Sequence, residues 1–419
     1  MVKFDELGLK KELVDSLKKI KFTETTDIQE RVIPIILEEK SVIAKSRTGS
    51  GKTGAYLIPL INLAKAGKGT KNLILLPTRE LAIQVQNVFE KIAEPMGLSA
   101  TLVYGGVSMG RQAEELSYGP EFVIGTPGRI KDMFERGHLK LPKIDKVVLD
   151  EADQMLDMGF YEDVSYIVDK TSKERKVYLF SATMTDYVKD ISSKFMDDAE
   201  TINSSEDRMP ADISHTYVVS ERNMKFGFLI KYIEEQNPEK AVIFSNTKSG
   251  ASFISKRLRE SGYRAVQIHG DLTQKQREMS IKSFRKGERF LIATDVAARG
   301  MDIPSITHII NYDLPREQKS YVHRVGRTAR FGRSGNAMSI ILPEESSMLG
   351  RIRKSAGIEI SKLPFEGQPN EVREDNYYGD RRGPRRGSGG GSRQGSGRKR
   401  YGGASSPSRF GRGGGKRKS

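Results

Sequence analysis

The sequence predicts an α/β fold: two tandem domains, each built on a parallel sheet, followed by a disordered, basic, Arg/Gly-rich C-terminal tail. Three observations carry this. Short apolar runs alternate with segments of helical period. The alternation runs in two series separated by a polar, proline-containing stretch. Beyond residue 365 the composition turns to Arg, Gly and Ser.

In the first series, Leu73–Leu76, Phe122–Ile124, Val147–Leu149 and Val177–Phe180 are continuous apolar runs. They are too short for buried helices and suit strands covered on both faces. Between them Leu81, Val85, Val88, Phe89 and Ile92 recur at helical spacing, an amphipathic helix. Strands alternating with helices make a parallel sheet. Asn203–Asp212 (NSSEDRMPAD) reads as a linker. A second series follows at Ala241–Phe244, Phe290–Ala293, Thr307–Ile310 and Ser339–Leu342. The expected division is residues 1–204, a linker at 205–212, residues 213–365, and a tail at 366–419. At about 150 residues per domain, 419 residues suit this count.

The net charge is +16, yet 13 basic residues and no acidic ones lie between Arg381 and Ser419, leaving +3 for residues 1–380. That segment also holds 13 of the 41 glycines, so it has too little apolar surface to offset the entropy of ordering. Its arginines, interleaved with Tyr401 and Phe410, suit sequence-independent attraction to nucleic acid. Cysteine is absent, which excludes disulfides, thiolate zinc sites and cysteine nucleophiles, and fits a reducing, cytoplasmic setting. The N-terminus lacks the apolar core of a secretory signal, and no run approaches about 18 apolar residues. No membrane partner is therefore expected.

Ser46–Thr53 (SRTGSGKT) follows the apolar Val42–Ala44. Gly49 and Gly51 let backbone N–H groups approach phosphates, Lys52 reaches the β- and γ-phosphates, and the Thr53 hydroxyl can ligate Mg²⁺. Ser46 stands where the pattern opens with Gly. Ser46, Arg47, Thr48, Gly49, Ser50, Gly51, Lys52 and Thr53 are the expected phosphate cradle. About 100 residues on, Asp150–Asp153 (DEAD) directly follows Val147–Leu149. Asp150 is assigned to the metal, and Glu151 to orienting and deprotonating the attacking water.

With these two motifs the chain resembles the DEAD-box ATP-dependent RNA helicases of superfamily 2 over roughly residues 1–365. The ordered series makes the resemblance specific: PTRELA at Pro77–Ala82, GG at Gly105–Gly106, TPGR at Thr126–Arg129, SAT at Ser181–Thr183, VIFSNT at Val242–Thr247, QKQR at Gln274–Arg277, TDVAARGMD at Thr294–Asp302 and HRVGRTAR at His323–Arg330. It implies two RecA-like domains, an ATP hydrolase with Mg²⁺ as cofactor, and RNA as partner. ATP hydrolysis stimulated by RNA would drive local unwinding or remodelling of RNA duplexes and RNA–protein complexes.

The resemblance also distributes roles. Arg327 and Arg330 would be arginine fingers on the γ-phosphate, and Asp302 would contact nucleotide. Arg79, Gly106, Thr126, Gly128, Arg129, Gly270, Gln274, Arg277 and Thr294 would hold RNA; Asp153, Ser181, Thr183 and His323 would couple the two sites. KFTETTDIQ at Lys21–Gln29 resembles the family's Q motif, with Phe22 stacking on adenine and Gln29 reading its edge. Lys21 replaces the usual Gly, Thr25 and Asp27 replace prolines, and Ala329 stands where Gly is frequent; the last is expected to be harmless. The second domain is expected to carry no phosphate loop, because its first strand is read as Ala241–Phe244, leading into SNTKSG. A monomer working with ribonucleoprotein partners is expected. Two other readings stay open: a DNA helicase or translocase, and a strand-annealing RNA chaperone acting through its tail.

Overall fold

A computed structural model of the chain describes residues 2–46, 49–204, 213–298, 306–329 and 334–364. Fourteen strands form two seven-stranded sheets among these residues. The first lobe contains β1 (Val42–Lys45), β2 (Asn72–Leu75), β3 (Ala100–Val103), β4 (Phe122–Gly125), β5 (Lys146–Leu149), β6 (Lys176–Ser181) and β7 (Glu200–Asn203). The second contains β8 (Ile213–Val219), β9 (Ala241–Phe244), β10 (Ala265–Ile268), β11 (Phe290–Ala293), β12 (His308–Asn311), β13 (Gly335–Ile341) and β14 (Ser361–Lys362). Every pairing within the two sheets is parallel. The predicted strands are present, most with ends shifted by a residue or so.

Both faces of each sheet are covered, which is why the central strands are apolar throughout. Side chains of β1, β2, β4 and β6 alternate between two cores. Ile74, Ile124 and Phe180 pack into one with Tyr56 and Phe89, while Leu73, Val123 and Leu179 pack into the other with Ile130 and Ile167. The expected amphipathic helix is Arg79–Ala93, capped at its start by the Thr78 hydroxyl accepting from the Leu81 N–H.

The strands missed by sequence reading were β3, β7, β8, β10 and β14. Partly buried positions and polar residues such as Thr101, Gln267 and His215 break their apolar runs. β8 matters most. The order of the first sheet is β3-β4-β2-β5-β6-β1-β7 and that of the second is β10-β11-β9-β12-β13-β8-β14. The two orders are the same topology, so β8, not Ala241–Phe244, is the counterpart of β1. The expectation about the second lobe's first strand is thereby corrected. The loop after β8 is Ser220–Met224, which contains no glycine, so the conclusion that this lobe has no phosphate loop stands on a different segment. The expected linker at 205–212 and tail at 366–419 lie outside the described residues.

Candidate functional site

In a parallel sheet the loops after the strands gather at one edge. Strand order divides that edge of the first lobe in two. β5, β6 and β1 are neighbours and carry the DEAD, SAT and phosphate-loop segments; β3, β4 and β2 are neighbours and carry Gly105–Gly106, Thr126–Arg129 and Pro77–Ala82. The nucleotide and RNA motifs thus lie side by side on one sheet.

The nucleotide half is closely knit. Gly51, at φ 99°, turns the chain into the helix Lys52–Leu63. The Lys52 ammonium is buried, donates to the Ser46 carbonyl at 3.1 Å and stands 3.5 Å from Glu151 Oε1. Ser46, the departure at the loop's first position, shares a hydroxyl–hydroxyl hydrogen bond of 2.9 Å with Ser50. Burial acts to lower the Lys52 pKa, but Glu151, Asp150 and Asp153 outweigh it and hold the ammonium above its ordinary value. Burial pushes the Asp150 carboxyl up to about 6, helped by Glu151 and opposed by Lys52 and by the hydroxyl of Tyr56. Glu151 sits in the left-handed region at φ 53°, a conformation costly for a side chain with Cβ, and Gln154 Nε2 donates to its Oε2 at 2.5 Å. Asp153 is fully buried, and its Oδ2 accepts from both the N–H and the hydroxyl of Thr183 at 2.9 Å each. Ser181 Oγ in turn donates to the Thr183 carbonyl at 2.7 Å, so the DEAD and SAT segments are fastened together.

Asp150 and Thr53 offer hard oxygen donors. No group of three or more His, Cys, Asp or Glu side chains among the described residues could hold a metal alone. That donor set fits Mg²⁺, which keeps water ligands and takes the remainder from substrate phosphates.

The Q-motif segment packs behind the phosphate loop. Gln29 is buried; its Oε1 accepts from the Thr26 N–H at 3.0 Å and its Nε2 donates to the Gly51 carbonyl at 3.0 Å. The amide keeps one N–H and one lone pair for adenine while bracing the loop. Phe22 is 37% exposed, as a ring kept for stacking should be. Thr25 is buried with its hydroxyl on the Val2 carbonyl, and Asp27 accepts from Ser204 Oγ at 2.9 Å, tying the motif to the end of the lobe. Lys21 has φ 64° and Ala329 φ 52°, the conformation glycine adopts without strain. Both substitutions thus carry left-handed backbone.

The half that carries the motifs expected to hold RNA is cationic. A Cβ on Gly106 would come within 2.2 Å of Arg79 Nη1, so the glycine makes room for this guanidinium. Arg129 donates to the Val107 carbonyl at 3.3 Å and to Gln112 Oε1 at 3.0 Å. Thr126 stands at the N-cap of the helix Pro127–Glu135, which holds Gly128 in its first turn. From the second lobe, Gln274 Oε1 lies 3.5 Å from Arg79 Nη1, and Arg277 pairs with Glu80 at 3.2 Å. Burial, with Arg277 and Arg129 nearby, lowers the Arg79 pKa, opposed by Glu80. Gly270 lies beside Lys248, and the Thr294 N–H closes onto the Ile268 carbonyl.

In the second lobe Arg324 is 1% exposed and acts as an anchor. It grips Asp295 through Nε and Nη2 at 2.5 and 2.7 Å, reaches Asn311 Oδ1, the Asp313 carbonyl and Asn246 Oδ1 at 2.6–3.0 Å, and stacks over Phe244. Three residues on, Arg327 lines a hollow with His323, Ser320 and Asp295. Sequence reading assigned Arg324 no role, although its spacing from Arg327 placed them one turn apart. Arg47, Thr48, Asp302 and Arg330 lie outside the described residues. His215 and His308 are buried, whereas His138 is exposed.

Fold and site together define a two-lobed nucleotide-binding enzyme of the phosphate-loop class, with a cluster of arginines on the neighbouring part of the same sheet edge. Residues 26–191 match the DEAD/DEAH box helicase model, and residues 224–332 match the helicase conserved C-terminal domain. The chain is 40% identical to an ATP-dependent RNA helicase CshA of Limosilactobacillus reuteri, over 86% of its own length and 73% of that protein. It is 39% identical to the DEAD-box ATP-dependent RNA helicase CshA of Geobacillus kaustophilus, over 87% and 78%. Among solved structures it is similar to S. cerevisiae Dbp5 bound to RNA and ADP BeF3, with a TM-score of 0.80 and 32% identity over 86% of this chain and 95% of that one. Mss116p bound to ssRNA and AMP-PNP gives 0.79 and 30%, over 87% and 80%. The chain belongs to the DEAD/DEAH box helicase family.

Proposed function

We propose that the protein is an ATP-dependent RNA helicase that couples RNA-stimulated ATP hydrolysis to local opening of RNA duplexes and RNA–protein complexes. The observation that carries this is the divided edge of the first sheet, where a phosphate loop with its paired carboxylates adjoins a cluster of arginines. Lys52 holds the β- and γ-phosphates, Glu151 orients and deprotonates the attacking water, and Arg327 and Arg330 of the second lobe stabilise charge on the transferred phosphoryl group. Asp150 and Thr53 would hold Mg²⁺, which neutralises phosphate charge when bound. Arg79, Arg129 and Arg277 grip one RNA strand by its phosphates, which gives affinity without reading bases. Arg277 lies against Glu80 and Arg79 against Gln274, so a strand laid there meets both lobes at once. Closure of the lobes on that strand bends it and parts the duplex; phosphate release reopens them.

The Asp153–Thr183 bonds support a role in passing the state of the nucleotide to this motion. The basic segment from Arg381 onward serves as a salt-sensitive tether. We place the protein in the cytoplasm as a monomer that meets ribonucleoprotein substrates. Comparing ATPase stimulation by single-stranded RNA and DNA tests the substrate class: RNA is expected to stimulate far more, and equal stimulation contradicts the reading. Ending the chain after Asp380 should weaken RNA binding at low salt while leaving ATPase at saturating RNA intact.

A further inference from the structure

We propose that Tyr56 is a positioning residue for the divalent cation, its hydroxyl fixing the Asp150 carboxylate so that this oxygen donor is held in place before Mg²⁺ arrives. This rests on the reading above that Asp150 and Thr53 face the cation.

Tyr56 lies on the helix that opens at Lys52, one turn after Thr53, so the two side chains share a face. The phenol is fully buried, and its hydroxyl donates to Asp150 Oδ2 at 2.9 Å. The other oxygen of Asp150, Oδ1, accepts the Glu151 N–H at 2.9 Å. With a donor on each oxygen, the carboxylate has lost its freedom to rotate. The ring is locked as well, packing against Phe180 of β6 with centroids 5.2 Å apart.

Packing alone does not require this hydroxyl, because a phenylalanine would fill the same place in the core beside Phe180 and Ile58. A buried phenol hydroxyl is tolerated only with a partner, and here that partner is the carboxylate assigned to the metal. Groups that orient ligands from behind commonly set metal affinity, and their loss weakens binding without removing a donor.

The test compares full-length wild type, Tyr56→Phe and Asp150→Asn in titrations of a fluorescent ADP analogue with Mg²⁺ and with EDTA. Tyr56→Phe is expected to bind ADP like wild type in EDTA. The gain in affinity that Mg²⁺ confers should fall by about 10- to 100-fold, as when a group that orients a metal ligand is lost. Asp150→Asn should lose at least as much of that gain. If Tyr56→Phe keeps the wild-type gain while Asp150→Asn loses it, the proposal is overturned and the cation site stands. If Asp150→Asn keeps the gain, the cation reading fails and takes the proposal with it. A Tyr56→Phe variant that binds ADP more weakly by the same factor with and without Mg²⁺ assigns Tyr56 to packing alone, which also overturns the proposal.

Discussion

The two lobes place a lysine and a carboxylate at matching points of the same topology and put them to opposite uses. In the first, Lys52 opens the helix after β1 and Glu151 is the second residue after β5. In the second, Lys225 opens the helix after β8's loop and Asp313 is the second residue after β12. The first pair stands at 3.5 Å across a glycine-containing loop. The second has closed to 2.6 Å, with Lys225 1% exposed and stacked over Tyr312 at 4.6 Å. Asp313 also accepts from Ser245 Oγ and the Asn246 N–H at 2.9 and 3.0 Å, and its carbonyl is held by Arg324. In the first lobe the lysine stays beside the glycine-containing loop; in the second it is a strut beneath Asp313, whose carbonyl Arg324 of the helix Gln318–Val325 holds. The difference lies in the loop: without glycines, the Ser220–Met224 backbone offers no cradle for an anion.

Breaking the first pair should cost chemistry. Glu151→Gln is expected to lower RNA-stimulated turnover by about 10²–10⁴-fold while ATP still binds, read by steady-state hydrolysis and nucleotide titration. Activity near wild type would remove Glu151 from its role.

Breaking the second pair should cost stability. Lys225→Ala strands a buried Asp313 and is expected to destabilise the second lobe by about 3–5 kcal/mol in urea unfolding. A loss under about 1 kcal/mol would show that the strut is dispensable.

The lobes should also differ in acid. His215, His269 and His308, all in the second lobe, are lowered by burial, and His215 is pushed down to about 4 from 6.5. The unfolded chain takes up this proton near pH 6.5 and the folded chain only near 4. The stabilisation is therefore whole above pH 6.5 and is lost as pH falls toward 4, on the order of 2–3 kcal/mol for His215. Hydrogen exchange at pH 5 should open the second lobe first; the first lobe opening earlier would contradict this.

The smallest effect concerns backbone strain. Lys21→Gly and Ala329→Gly should each raise the melting stability of their own lobe by up to about 1 kcal/mol, because φ near +60° costs glycine little. Destabilisation by either change would mean that the lost side-chain contacts outweigh the relieved strain.

Much of this was legible in the sequence where chemistry and period coincide. β1, β2, β4, β5 and β6 announce themselves as apolar runs because both faces are covered; Asp150 and Glu151 follow a strand directly, and Lys52 closes the glycine-containing loop after another. β8 did not announce itself, since Ser214, His215 and Thr216 interrupt it, and with it went the equivalence of the lobes. Tyr56, Lys225, Asp313 and Arg324 were passed over for a related reason. Each lies within a helix or after a strand whose pattern explains it as ordinary packing or surface charge, and only the fold brings together Tyr56 with Asp150, 94 residues apart, or Lys225 with Asp313, 88 apart. The strain at Ala329 was invisible because a methyl group differs little from a hydrogen until φ is known.

Paired neutral swaps test the asymmetry of the lobes most directly: Lys52→Met with Glu151→Gln in the first, and Lys225→Met with Asp313→Asn in the second. RNA-stimulated ATP hydrolysis is then measured on both folded proteins. The lobe-one swap should lose at least about 10²-fold. The lobe-two swap should stay within about threefold of wild type, because the amide oxygen that replaces a carboxylate oxygen of Asp313 can still accept from Ser245 and Asn246. A folded lobe-two swap as inactive as the lobe-one swap would contradict the account, placing the second lysine in the chemistry rather than beneath it.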